Sequence, residues 1–466
     1  MKTMQKTLAL LLSLCLLIGL AASCFASPGE ESPSPGGGAS PSSGGANPSG
    51  DGSGFNPNLN EEEEKADDDD VMVLPPLDVA GKSAVVMSTL DPASDGVLRI
   101  IEKYKRLYGA DLVFEQPAWD MFSENLAQKI LSGDPPDMVM ARDSDYPMWA
   151  GMGYLRPLDD YIDLDSALWK TVKNTMNNMR YNGKLFAAVR STTAYYFVWY
   201  NKDILANYGL EDPQELFDKG EWTYAKLLEY AIEMTDTTGD TPVYGLAGAF
   251  YTLIYCMIDS VQRSPMANDG GNYILTLDDP LLTEVINAFS DLYQKYNVVG
   301  PDNYMPEFTQ GKIAMMAEGS WTGGTEPLAT MHREGTAAMV MWPKWNESMD
   351  YSMSGGVGFS CVPHNVKDIE LSMSIINSMR FAEPGEADES KQQYIDLGWT
   401  DWEWDHMRDA NDKVYVQLQK LISDPGGAFL GMMYNMRSNS WVNSRADFEG
   451  RCQQVLDEFN ALMAAG

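Results

Sequence analysis

"SAVVMSTLDPASDGVLRIIEKYKRLYGADLVFEQ" (Ser83–Gln116) decides the fold class. Its first residues are an apolar run of strand length that stops at the turn-rich "LDPASDG". Val97, Ile100, Ile101, Tyr104, Leu107 and Tyr108 then recur at the spacing that lines one side of a helix. "ADLVFEQ" is a second strand. Downstream, "MFSENLAQKILSG" holds Phe122, Leu126 and Ile130 in helical register and stops at Gly133, and "PPDMVMA" is a third strand. Strands joined through intervening helices pair in parallel, so the order β-α-β-α-β predicts a parallel sheet covered by helices.

The alternation continues to the C-terminus. "AYYFVWYN" (Ala194–Asn201), "KIAMMAEG" and "GGVGFSCVP" read as strands. "WTYAKLLEYAIEMT", "DPLLTEVINAFSDLYQKY" and "IELSMSIINSMRFA" read as helices, the second capped by Asp279 with Pro280 at its first helical position. A last helix aligns Phe448, Cys452, Val455, Phe459 and Leu462. A folded part of about 390 residues is too large for one core and should divide into two lobes. "LGWTDWEWDHM" (Leu397–Met407) reads as the packed start of a helix, and "DTTGD" (Asp236–Asp240) as a plain turn rather than a Ca²⁺ loop.

The 466 residues carry 67 acids against 33 bases, a formal net charge of −34. A surface of that sign repels nucleic acid and anionic headgroups, so both are poor partners and no nucleic-acid partner is expected. Cys256, Cys361 and Cys452 are too far apart for a disulfide framework or a metal-ligand spacing, and are expected as buried free thiols. His332, His364 and His406 are the only histidines, so neither a metal site nor any other cofactor is expected.

Met1–Ala26 reads as a targeting segment: Lys2 and Lys6 precede the apolar run "LALLLSLCLLIGLAA" (Leu8–Ala22), which is too short to span a bilayer. The run ends in "AASC", which resembles the lipobox of bacterial lipoproteins, with Ala21 in place of the usual Leu. That resemblance implies diacylation of Cys24 as the new N-terminus; soluble secretion after Ala26 is the alternative. Residues 27–70 are a Gly/Ser/Pro tract ending in "EEEEKADDDD". With almost nothing to bury and strong self-repulsion, they should form a disordered tether with a reach of roughly 35–40 Å.

Several stretches resemble, in order, the extracellular solute-binding proteins of bacterial ABC sugar importers. They are "LSGDPPDMVMARD", "GYLRPLDDYI" (Gly153–Ile162), "WYNKDILANYGLEDP" (Trp199–Pro213), "EWTYAKL", "GDTPVYGLAG" and "FTQGKIAMMAEGSW" (Phe308–Trp321). The resemblance spans Ser83 to Met379 and fades beyond. It departs at "AAVRSTTA", where Arg190 stands near the position of a family Pro. It implies the two-lobe periplasmic-binding-protein fold (type II), each lobe a helix-covered sheet, joined by hinge strands. The expected division is 71–191 plus about 356–410 for the first lobe and 192–355 plus about 411–466 for the second.

By the same resemblance the ligand is a carbohydrate, expected to be an oligosaccharide, held between the lobes and delivered to an ABC permease without a reaction. Trp321 would stack on a sugar ring, because a rigid indole buries an apolar C–H face at little entropic cost. Glu318 is its neighbour. Asp91 and Asp143 would accept sugar hydroxyls, and strand alternation lets one of Tyr195 and Tyr196 face the ligand. Trp119, Trp149 and Trp342 are further aromatic candidates, with a core position as the alternative for each. A secreted glycoside hydrolase, which also needs carboxylates and aromatics in a cleft, is the rival class. A binding protein of the same fold for a non-sugar solute is the other.

Overall fold

β1 (Ser83–Met87) is a buried strand whose Ala84, Val86 and Met87 are fully covered. It pairs in parallel with β2 (Asp111–Glu115) and β3 (Met138–Met140), as the sequence order requires. The intervening helix Asp95–Tyr108 starts where the Ser94 hydroxyl accepts from Val97 N and ends at Gly109, whose φ of 64° a side chain would resist. This computed structural model describes residues 72–142, 145–239, 241–269, 272–302, 304–383, 386–416 and 423–465. The targeting segment with Cys24, the tether and Asp143 lie outside them.

Two sheets organise the chain. The first has the order β12-β11-β3-β1-β2, with β4 (Ala188–Ala194) also on β11 (Met353–Cys361). β11 runs antiparallel to β3 and β4 and parallel to the short β12 (Val414–Tyr415). The second sheet has the order β10-β5-β9-β6, built from β5 (Tyr196–Asn201), β6 (Tyr244–Ala247), β9 (Ile313–Gly319) and β10 (Ala337–Met341). β5 is antiparallel to both β9 and β10, so those two run the same way. A hairpin of β7 (Met266–Asp269) and β8 (Asn272–Leu275) stands apart.

Each sheet has its own hydrophobic core. The first gathers side chains from Val79 to Val189, then Val357 to Ile376, the helix Ile369–Arg380 included. The second gathers them from Ala194 to Val261 and Leu277 to Met353, then from Trp399 to Trp441. The chain therefore crosses from one core to the other at Ala194–Tyr196 and returns between Met353 and Val357, within β11, giving the two α/β lobes.

The lobe assignment needs correcting at three places. β4 stays on the first sheet as far as Ala194, three residues beyond the expected limit. The helix Asp401–Asp412, expected with the first lobe, belongs to the second: Trp404, Met407 and Ala410 fill that core. His406 Nε2 accepts from Met341 N of β10 at 2.7 Å, and the Glu403 carboxylate meets His332 Nε2 on the helix Leu328–Arg333 at 3.0 Å, so polar ties hold the helix in the second lobe. The C-terminal helix Trp441–Ala465 serves both cores, with Trp441 in the second and Leu456 in the first.

Local chemistry matches the expected starts and stops. Asp279 accepts from Leu282 N ahead of Pro280, and Thr223 accepts from Lys226 N to open the helix Tyr224–Glu233. In "LGWTDWEWDHM", Thr400 and Glu403 form a reciprocal capping box, which makes the stretch a helix start. Asp236 closes its turn by accepting from the Thr238 amide and hydroxyl. Cys256, Cys361 and Cys452 are buried and none is in a disulfide.

Candidate functional site

The carboxyl end of β9 delivers Trp321 onto a short 3-10 turn, Ser320–Gly324. The turn is held from below. The Gly319 carbonyl accepts from Trp199 Nε1 at 3.1 Å and from the Thr322 hydroxyl at 2.6 Å, and Ser320 N donates to Tyr195 O at 3.3 Å. A Cβ on Gly319 would collide with the Trp321 ring, so the indole lies across bare backbone. Trp321 remains 42% exposed, with its support fixed and its other face open.

Tyr195 and Tyr196 sit beside it at the first lobe crossing. Their ring centroids lie 6.0 and 6.1 Å from that of Trp321, both edge-on. Both tyrosines are half-buried, so strand alternation does not hide one while presenting the other: Tyr195 falls in the break between β4 and β5, where the pleat is interrupted. Glu318, the residue of β9 before Gly319, is also half-buried. Its Oε2 accepts from the Tyr304 hydroxyl at 2.5 Å and its Oε1 from Gly319 N at 2.7 Å.

Tyr304 and Tyr251 complete this wall, and sequence reading missed both. Tyr251 lies in the first turn of the helix Phe250–Ser260, which follows the carboxyl end of β6, the strand parallel to β9. The rule that picks out Trp321, that open α/β sheets bind at the carboxyl ends of their strands, also selects the residues after "YGLA". Burial first, and then the Glu318 charge, raise the hydroxyl pKa of Tyr304 and of Tyr251. Burial likewise raises Tyr196. All three phenols therefore stay neutral at physiological pH and can both donate and accept, as binding of a hydroxylated ligand needs.

The remaining candidates scatter. Trp119 follows β2 on the turn Trp119–Met121, is 48% exposed, and has the Arg142 guanidinium 4.9 Å from its ring centroid. Arg142 is itself fixed by Asp145. Asp91 is exposed, and its Oδ1 closes a turn by accepting from Ala93 N at 2.8 Å. Trp149 and Trp342 are corrected to core residues. Trp149 is buried in the first core with its ring stacked on Phe122, and Trp342 is fully buried in the second. An indole enclosed on both faces has none to offer a ligand. A separate surface cavity of about 510 Å³, lined by Gly220, Glu221, Thr223, Lys226, Lys344 and Glu347, shares no residue with the aromatic wall.

Two helix-covered sheets joined by crossing strands, with aromatics gathered at the crossing, define a two-lobed binding protein. Residues 92–359 match the bacterial extracellular solute-binding protein family, and the chain belongs to it. Solved structures share the architecture at low identity. The sugar-binding protein MalE of Xanthomonas citri is 12% identical with a TM-score of 0.62, covering 82% of this chain and 98% of its own. An ABC substrate-binding protein of Listeria monocytogenes in complex with cycloalternan is 15% identical with a TM-score of 0.57, covering 82% and 99%. A cyclo/maltodextrin-binding protein complexed with maltotetraose is 14% identical with a TM-score of 0.57, covering 82% and 96%. No curated protein matches in sequence. Among the described residues, no helix is long and apolar enough to cross a membrane.

Proposed function

We propose that this chain captures a carbohydrate, an oligosaccharide in size, between its lobes and hands it to the permease of an ABC importer. Trp321 is the stacking platform, flanked by Tyr195 and Tyr196, with Glu318 and Tyr304 as hydroxyl partners. Trp119, Asp91 and Asp143 are the contacts contributed by the first lobe. Sugar binding draws the lobes together about the Tyr195 crossing, and the closed form docks on the permease. The protein is held at the outer face of the cytoplasmic membrane by acyl chains on Cys24, with residues 27–70 as its tether. No bond in the ligand is made or broken.

The observation that carries this reading is the open indole of Trp321, braced on Gly319 and edged by two tyrosines. Calorimetric titration of Trp321→Ala against an oligosaccharide that raises the wild-type unfolding midpoint is the test. The variant should keep its midpoint and lose roughly five- to 150-fold in affinity, the equivalent of about 1–3 kcal/mol of buried aromatic area. A folded Trp321→Ala protein with undiminished affinity would refute the stacking role. The same sugar recovered intact after prolonged incubation is the expected result, and steady product release would return the reading to a hydrolase. Replacing Cys24 by Ala should shift the protein from the membrane fraction to the soluble one; a wild-type N-terminus at Ser27 would instead indicate simple secretion.

A further inference from the structure

Arg190 lies in the crossing strand β4, where the pairing with β11 slips. Ser191 faces Gly358 and Val189 faces Phe359, which leaves Arg190 as the extra residue of a bulge. Bulges re-aim side chains, and this one aims a cation that no acidic side chain among the described residues neutralises. The residue is part-buried, its Nε is enclosed without a hydrogen-bond partner, and no acidic side chain acts on it among the described residues. Burial alone pulls its guanidinium down to about 10, so it remains charged at neutral pH. Its main-chain carbonyl accepts from Arg380 Nη1 at 3.3 Å.

The surroundings of the guanidinium connect it to the aromatic wall. A Cβ on Gly358 would lie 3.3 Å from Arg190 Nη2 and 2.9 Å from the Ser191 hydroxyl. A Cβ on Gly356 would collide with the Tyr195 hydroxyl. Residues two apart in a strand share a face and sit about 7 Å from one another. The guanidinium, the Ser191 hydroxyl and the Tyr195 hydroxyl thus border one side-chain-free stretch of β11, and the Tyr195 ring abuts Trp321. An enclosed charge without a counterion is costly, and the planar fork of Arg matches a carboxylate.

We propose that Arg190 is an anion subsite, and that the ligand is an acidic carbohydrate whose carboxylate meets this guanidinium while a neighbouring ring stacks on Trp321. The inference rests on the carbohydrate reading and narrows it to uronate-bearing sugars.

The test is an array of oligosaccharides in matched neutral, uronate-bearing and sulfate-bearing forms, screened with the purified protein and followed by calorimetry on the best pair. The uronate form should bind at least about tenfold tighter than its neutral partner, the scale of one charge-assisted hydrogen bond. Arg190→Gln should erase that margin between the two forms and keep or raise the unfolding midpoint, because it removes an uncompensated charge. A structural arginine would instead lower the midpoint. Equal binding of both forms, or a preference that survives Arg190→Gln, overturns the inference while leaving the carbohydrate reading intact. A preference for the sulfate form overturns the carboxylate assignment. No binding to any glycan overturns both readings.

Discussion

β9 and β10 run in the same direction on either side of β5, and each is followed by a tryptophan: Trp321 two residues beyond Gly319, Trp342 directly after Met341. Both leave the same edge of the same sheet, yet Trp321 is 42% exposed and Trp342 is sealed in. The difference comes from residues far away in the chain. His406 accepts from Met341 N, and Trp222 Nε1 donates to Met341 O at 2.9 Å, so two other elements close over the end of β10. At the end of β9 the Gly319 carbonyl is likewise used by Trp199 and Thr322, but Trp199 lies in the core and Thr322 within the turn itself, so neither covers the indole. Strand direction sets where a side chain emerges; what covers it is decided by other segments.

The contrast can be broken most forcefully at Trp342. Trp342→Ala should cost about 3–5 kcal/mol of folding stability, read as a lowered denaturant midpoint, while any molecules that stay folded keep wild-type affinity. A stable variant with lost affinity would place Trp342 with the ligand after all.

Acid should loosen the same lid. Burial first, then the Lys413 charge, pull His406 down to about 3, so it is neutral in the fold but titrates near 6.5 once unfolded. Its contribution is complete above pH 6.5 and is lost as pH falls from there towards 3, at roughly 1.4 kcal/mol per unit. Between pH 7 and pH 5 denaturation should therefore report a loss of about 2 kcal/mol, which His406→Gln, still an acceptor for Met341 N, should flatten. An unchanged slope in that variant would clear His406 of the effect.

Gly319→Ala tests the platform without touching its ring. The added methyl must displace the indole, so affinity should fall nearly as far as in Trp321→Ala, about 1–3 kcal/mol, with the fold retained. Wild-type affinity would mean that the indole's position is immaterial. The smallest effect is expected from Trp321→Phe, which keeps a stacking face of smaller area and should cost roughly two- to fivefold in affinity by titration. A loss as great as that of the Ala variant would point to the indole N–H rather than the ring face.

Much of the architecture was legible because local signals and global fold agree. Ser94, Asp279, Thr223 and Thr400 cap the helices that their neighbours' periodicity announces, and the apolar runs of β1, β2, β3 and β9 become strands. The exposed position of Trp321 just beyond β9 was legible as well, since the carboxyl end of such a strand opens towards the crevice of the sheet. Trp149 and Trp342 were not, because burial depends on tertiary cover that no window of sequence contains. The lobe of the helix Asp401–Asp412 was hidden for a related reason: its attachment runs through His406 and Glu403 to Met341 and His332, contacts made across more than sixty positions. Arg190 was visible as a departure from the family pattern, but its bulge follows from register with β11, which sequence alone does not supply.

The uneven cover of the aromatic side chains also gives the protein an optical readout. Of its twelve tryptophans only Trp119 and Trp321 are exposed, the others being buried or, for Trp402, partly so. A neutral aqueous collisional quencher such as acrylamide will reach those two most readily, Trp402 less and the buried indoles least. A ring seated on Trp321 shields half of the accessible population, so occupancy can be followed by the loss of quenching, without a label and without altering a residue.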